Sequence, residues 1–493
     1  MAATIALPSS VVAESRTRTR LRLWPEWLTL FLYTSIVAFA IPFHEPWADE
    51  AQAWQMARAL SIHDLFFHAL RYEGSPGLWH LLLHGLIRLH VSYAAMHWLT
   101  GLVAVSGMAL LIFFAPFPRW VRLSLPFTVF FAFQWAVVAR SYVLVPLLTF
   151  AAATLWKKNG IAVAVLLGLL ANTSLHGFGL ALGFAIVYLI EMRRGSHQSE
   201  NRIVIVSILL LLFGIALFTA LPPPPDITFA DELVHESAAV RIGAAVPLAV
   251  IYLSRAVSYW WLLSIPILPL VLWMTYRIGG ALYLLPVLSV AMVAGVGYFT
   301  YWHVGFASTA TIATAWICWR QFSRPIRIVG SVVFGIWVVV QLSYSAFALT
   351  WDHKFLYSPD AAAAEYLRPL VNQKLPLAVT LVNTSDAAEF HSIGLGPYFE
   401  HPIFINQTRL YWFWSNQERV DERFKDALNR DPAAIIAMYR SHKGRPFNPA
   451  YDLDSRRLHP LYERGYGVTH IFCGARPEAF DLREEICEIV LER

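Results

Sequence analysis

Two carboxylates, Asp49 and Glu50, stand side by side just after the apolar run 27–43. A positioned carboxylate can take the proton of a hydroxyl and turn it into a nucleophile. Adjacent residues of a helix diverge by about 100°, so the two groups cannot both face one reacting atom. One should do chemistry and the other hold structure. A structural reading of Asp49 also stands, because Asp49 followed by Gln52 has the form of a capping box opening a helix from Glu50 to Leu60. The pair lies in the densest group of ionisable residues, His44 to Leu86, which also carries Arg58, Asp64, Arg71 and Glu73.

The elements that must position these groups are membrane helices. Of 493 residues, 57% are hydrophobic and 14% charged, and the mean hydropathy of +0.50 is that of a chain living mostly in lipid. The 19 Trp, 20 Tyr and 32 Phe fit many helix ends anchored at the interface. The net charge of +5 is spread among loops, so the basic residues read as topology and nucleic acid is not a partner. Three cysteines are too few for a disulfide framework. Cys473 and Cys487 share one polar region and can pair if it faces an oxidising compartment.

A spanning helix needs roughly 20 apolar residues. Eleven segments qualify: 27–43, 95–115, 123–139, 142–156, 161–175, 177–192, 203–221, 258–276, 281–299, 304–319 and 328–350. The basic cluster Arg16, Arg18, Arg20 and Arg22 precedes the first without a cleavage site, so residues 1–26 read as a cytoplasmic tail before an uncleaved crossing. With the N-terminus inside, fifteen Lys and Arg fall in cytoplasmic segments and six in the external loops of residues 27–350. External acids run the other way, including Asp226, Asp231, Glu232 and Glu236. The stretch 77–89, with His80, His84 and Arg88 at helical spacing, reads as a juxtamembrane helix of the external loop 44–94, and 240–255 is also left on the outer surface.

After Trp351 the composition changes: residues 351–493 hold 37 charged groups. They read as a small external α/β domain, with a helix starting at Ser358-Pro359-Asp360 and strands at 377–382, 402–405, 469–473 and 486–491.

An acidic Asp49-Glu50 after the first crossing, followed by Glu73-Gly74-Ser75-Pro76-Gly77-Leu78-Trp79, resembles the first outer loop of GT-C glycosyltransferases, such as the protein O-mannosyltransferases and the lipid A aminoarabinose transferases. Many of these carry two prolines after a His or Lys where this chain has Ser75-Pro76-Gly77. Ala139-Arg140-Ser141-Tyr142 resembles the family's Ala-Arg-x-Tyr element, and His176-Gly177-Phe178 is similar to its Thr-His-Tyr turn. The likeness runs in order over roughly residues 25–350.

The resemblance implies a GT-C fold and transfer of a sugar from a polyprenyl-phosphate donor to a lipid, glycan or protein acceptor, on the periplasmic face of a bacterial inner membrane. The displacement would invert the anomeric carbon, with Asp49 as base and Glu50 beside it in the catalytic pair. Arg140, then Arg71, would steady the leaving phosphate, and Glu73, Tyr142, His176 and His303 would contact substrate. Each has a plainer role too: Arg140 can snorkel, Glu73 can orient a helix, Tyr142 can serve the aromatic belt and the histidines can be structural. No cofactor is expected; a divalent cation on the outer acids and histidines is the open alternative. Two rivals are a lipid or glycan transporter, which needs polar groups inside helices, and a non-catalytic membrane scaffold.

Overall fold

A computed structural model describes residues 23–493 except 74, 196–200, 221–237, 259–263, 265–268, 271, 274–275, 278–279, 298, 383–391, 413–419, 442–446 and 480–481. The basic cluster of the N-terminal tail, the loop acids Asp226, Asp231, Glu232 and Glu236, and most of the stretch 258–276 lie outside the described residues.

The chain is mostly helical, as its long apolar runs require. Among the described residues, five helices are long and apolar enough to cross a membrane: α1 (Trp24–Ala40, prolonged by a 3-10 turn to Phe43), α4 (Ala95–Phe114), α7 (Leu175–Arg193), α8 (Arg202–Ala220) and α12 (Arg324–Lys354). Between them lie the loop helices α2 (Ala48–Ala59) and α3 (Leu78–Arg88), and the shorter apolar helices α5 (Leu144–Leu155) and α6 (Gly160–Ala171). Three more apolar helices are described: α9 (Ala238–Val257), α10 (Leu285–Val296) and α11 (Gly305–Cys318). At 11 residues, α3 is about 16 Å long, shorter than a roughly 30 Å hydrocarbon core, as are the 12-residue helices α5 and α6.

The apolar stretch 123–139 departs from the regular crossing expected of it. It runs through the end of a short helix (Arg119–Ser124), a 3-10 turn at Leu125–Phe127 and a π turn at Phe130–Gln134 before losing regular structure. Pro126 denies the backbone an N–H donor there. The result is an irregular, buried ribbon ending at Arg140.

Helices pack closely where small residues face a neighbour. A Cβ on Gly183 of α7 would lie 2.5 Å from Pro286 Cα and 2.8 Å from the Leu285 carbonyl oxygen, and one on Gly107 of α4 would lie 3.1 Å from Leu147 N. Polar clusters mark the two ends of the bundle. At one end, buried Glu26 accepts from Arg119 at 3.0 Å and Arg122 at 2.6 Å. One carboxylate does fall inside a proposed crossing: Glu191 of α7 accepts hydrogen bonds from the Trp156 indole, at 2.9 Å, and the Tyr283 hydroxyl. It ties three elements together as a structural group. At the other end His44, Asp49, His97, Arg140, His303 and Asp352 gather.

The C-terminal region forms a four-stranded sheet, β1 (Leu377–Leu381), β2 (Ala434–Arg440), β3 (Gly467–Ala479) and β4 (Leu482–Glu492), in the order β1-β2-β4-β3. β1 and β2 are parallel and the other pairs antiparallel, and Cys473 and Cys487, opposite one another, form a disulfide. The stretch 402–405, expected as a strand, contributes a single bridge, Phe404 to Leu377. Helix α13 (Asp360–Asn372) packs on the sheet through Ala363, Ala364 and Leu367.

Candidate active site

Helix α2 starts two residues earlier than the capping-box reading places it, at Ala48 instead of Glu50. Its N-cap is Trp47, whose backbone N–H donates to Glu50 Oε2 at 3.1 Å, so Glu50 at the third helical position closes the cap. Asp49 therefore sits at the second position, near the positive end of the helix dipole, where negative charge is stabilised.

The two adjacent carboxylates diverge as helix geometry requires. Glu50 is fully buried: Oε1 accepts the Ala139 backbone N–H at 2.5 Å and faces His97 Nε2 at 2.9 Å, while Oε2 faces His44 Nε2 at 3.3 Å. The other nitrogen of His44, Nδ1, lies 3.1 Å from Asp352 Oδ1. Burial works against charge on both groups, and their mutual attraction outweighs it. Asp352 and Glu50 lift the His44 pKa to about 10, and His44 and His97 hold Glu50 well below the usual carboxylate range. Glu50 thus clamps the backbone of the ribbon that carries Arg140, and Asp49 forms an ion pair with the Arg140 guanidinium. Asp49 and Arg140 keep part of their side chains open, 16% and 22% exposed. Glu50, expected from the sequence to be half of a catalytic pair, has no open face toward a substrate.

Arg140 rests on aromatic rings, its guanidinium carbon 4.8 Å from the Tyr142 centroid, 5.8 Å from Trp47 and 5.9 Å from Trp302. The Thr300 backbone N–H donates to His303 Nδ1 at 3.0 Å, which leaves Nε2 as the protonated nitrogen of a neutral ring. Burial, then the neighbouring His176 and Arg140, push the His303 pKa well below its ordinary value. His303 Nε2–H consequently donates to the Tyr142 oxygen at 2.8 Å. His176, at the start of α7, stacks on His303 with centroids 4.3 Å apart and planes 10° off parallel.

Gln52, one helical turn beyond Asp49, donates to Glu73 Oε1 at 2.6 Å. Burial, offset by that hydrogen bond and raised again by the charge of Asp49, lifts Glu73 to about pKa 7. The site thus pairs one carboxylate ion-paired to a cation with one poised near neutrality, a division of environments that separates acid from base roles. Arg71 lies two residues from Glu73 on the same short helix, Leu70–Glu73, so the two side chains leave the helix about 200° apart.

Asp49, Glu73, Arg140, Tyr142, His176 and His303 therefore form one connected group, with Glu50 beneath it. Sequence reasoning missed the aromatic shelf of Trp47 and Trp302 and the buried supports His44, His97 and Asp352. His44 and Trp47 stand in the same short stretch as Asp49, but His97 and Asp352 come from distant helix ends with no local motif. Among the described residues, His44, Glu50 and His97 are the buried set whose ligand atoms converge on one point; His63, Asp64 and His68 form an exposed group, and Cys473 and Cys487 are already joined to each other.

No known protein family matches the chain, and no curated protein does. Among solved structures it is similar to the crystal structure of ArnT from Cupriavidus metallidurans bound to undecaprenyl phosphate. The identity is 11% over 93% of this chain and 97% of that one, with a TM-score of 0.48.

Proposed function

We propose that the protein is a membrane glycosyltransferase that moves a sugar from a polyprenyl-phosphate donor to a hydroxyl of a lipid, glycan or protein acceptor. The observation that carries this reading is the Asp49–Arg140 pair, partly open and set on an aromatic shelf at one end of the helix bundle. Apolar helices leave the donor's chain in lipid while its headgroup meets polar residues at the bundle end. Within this reading the chain makes eleven crossings of a bacterial inner membrane. The N-terminus is cytoplasmic, and residues 351–493 form a periplasmic unit.

Asp49 takes the proton of the acceptor hydroxyl as that oxygen bonds to the anomeric carbon. The carbon–oxygen bond to phosphate breaks on the opposite face, and its electron pair leaves on the polyprenyl phosphate. Arg140, engaged by Asp49 before the donor arrives, turns part of its guanidinium to the phosphate, which both stabilises the leaving charge and relaxes its hold on the base. Tyr142, held by His303 beside Arg140, hydrogen-bonds a phosphate or sugar oxygen. Glu73 hydrogen-bonds the sugar in its protonated form and orients Gln52 in either form. No step needs a metal ion.

Transfer of radiolabelled sugar from a polyprenyl-phosphate donor by purified protein tests the assignment. Wild type should turn over, Asp49→Asn should not, and full activity in a folded Asp49→Asn variant would remove the proposed base. The transporter reading predicts sugar-lipid movement across vesicles without a transferred product, and the scaffold reading predicts neither.

A further inference from the structure

Beneath the candidate active site, the cluster around Glu50 has a chemistry the transfer reaction does not use. His44 and His97 point their Nε2 atoms at the two oxygens of one buried carboxylate, at 3.3 and 2.9 Å, and the ligand atoms of all three lie within 4.8 Å of one another. Ligands at about 2.0–2.1 Å around a tetrahedral ion stand roughly 3.4 Å apart, so small rotations of these side chains suffice to close around one. The outer contacts are those of metal sites as well. His44 Nδ1 is held by the Asp352 carboxylate at 3.1 Å, an arrangement that would turn the Nε2 lone pair of a neutral ring inward, and Glu50 is held by the Trp47 and Ala139 backbone N–H groups.

With the proton of Nδ1 given to Asp352, a neutral His44 would face Glu50 lone pair to lone pair. A cation must stand between them, either a second proton on the ring or a metal ion. A second, independent observation favours the metal. Asp352 is 3% exposed and its Oδ2 has no hydrogen-bond partner among the described residues. Two buried carboxylates are therefore gathered around the imidazoles, and a divalent ion held by two neutral rings balances them in full.

We infer that His44, Glu50 and His97 bind one divalent transition-metal ion of the zinc class, with Asp352 as the outer-shell partner of His44. Mixed imidazole and carboxylate donors suit zinc over magnesium or calcium. The ion joins the end of α1, the start of α2, α4 and the end of α12, and through Glu50 it fixes the backbone beside Arg140. Its role is structural, since the site is closed to solvent.

The test is metal content, which is independent of any transferase activity. Protein purified without a histidine tag is stripped with EDTA, given Zn(II), desalted and measured by elemental mass spectrometry, and its thermal midpoint is recorded before and after zinc. About one zinc per chain and a midpoint raised by several degrees are expected, with His97→Ala retaining less than about a tenth of an equivalent. Should His97→Ala fail to fold, the wild-type measurements decide alone. Less than a tenth of an equivalent in wild type, with an unmoved midpoint, overturns the site and leaves a proton-bridged cluster. Zinc retained equally by wild type and a folded His97→Ala variant overturns the ligand assignment. Stoichiometric zinc in a protein without sugar transfer would retain the metal site and remove only the functional reading.

Discussion

At the scale of residues, Asp49 and Arg140 carry complementary parts of the proposed reaction and should fail differently. Asp49→Asn keeps the shape but loses the proton acceptor, so kcat should fall on the order of 10²- to 10⁴-fold with little change in donor binding. Arg140→Ala removes charge at the leaving phosphate, so both kcat and donor KM should suffer, and Arg140→Lys should restore only part because a point charge cannot replace the planar group stacked on Tyr142. Steady-state kinetics with varied donor separates the two patterns. Glu73 makes a prediction about stability. Its carboxyl holds its proton up to about pH 7 in the folded chain against an ordinary value of 4.5. The folded state is therefore favoured fully below pH 4.5, and that contribution is lost as pH rises through 7. Glu73→Gln should accordingly melt higher than wild type at pH 8, by on the order of 1 kcal/mol in stability, and at the same temperature near pH 4. Asp49, Glu73 and Arg140 were legible as local motifs because each stands at a helix end or loop beside other polar residues. The division of labour between Asp49 and Glu50 was legible only as the statement that they must diverge. Which one is buried depends on His44, His97 and Asp352, and those meet through tertiary contacts that no local spacing encodes.

At the scale of elements, the long apolar runs announced helices because a backbone in lipid must satisfy its own hydrogen bonds. The stretch 123–139 shows where that logic stops. Phe131, Phe133, Trp135 and Val137 to Ala139 are buried on an irregular ribbon, and burial looks the same in sequence whether the backbone is helical or not. Protein groups supply the missing partners, as Glu50 does for Ala139 N–H. Close helix packing was likewise invisible until the neighbours were known. Gly179 and Gly183, spaced four apart on α7, abut α10, whereas a Cβ on Gly85 of α3 would meet no heavy atom within 4 Å among the described residues. Gly183→Val should therefore force α7 from α10 and cost more than about 2 kcal/mol, lowering the thermal midpoint in detergent by several degrees. Gly85→Ala should be neutral or slightly stabilising, since alanine is the better helix former. Equal midpoints for the two variants would contradict the packing described for α7 and α10.

At the scale of the whole molecule, the C-terminal sheet is fastened to the loop that carries Asp49. The Arg476 guanidinium of β3 lies 3.7 Å from the centroid of Trp47, the N-cap of α2. Gln52 exchanges hydrogen bonds with the backbone of Trp412 at 2.8 and 2.9 Å, Glu45 accepts the Tyr357 N–H at 2.8 Å, and Arg58 donates to the Phe399 carbonyl at 3.0 Å. A change of composition at Trp351 revealed a second region in the sequence, but these contacts join groups hundreds of residues apart and left no trace there. Behind Arg476 lies a buried acid pair, Asp360 of α13 and Glu488 of β4, with Ser358 bonded to Asp360. Burial raises both carboxyls, Asp360 to about 7 and Glu488 well above its ordinary value, the latter also through the charge of Asp360. Protons bound more tightly in the folded state stabilise it below about pH 4, and that stabilisation drains away as pH rises through 7. The junction should therefore loosen in alkali. Hydrogen exchange of the amides in α13 and β4 should quicken between pH 6 and 8.5 beyond the intrinsic chemical rate, and Glu488→Gln, which keeps one hydrogen-bonding partner for Asp360 without a second charge, should flatten that dependence. If Trp47 transmits the change, sugar transfer at pH 8.5 should decline in wild type more steeply than in Glu488→Gln. Identical pH profiles for the two proteins would mean that the sheet is fastened to the catalytic loop without being coupled to it.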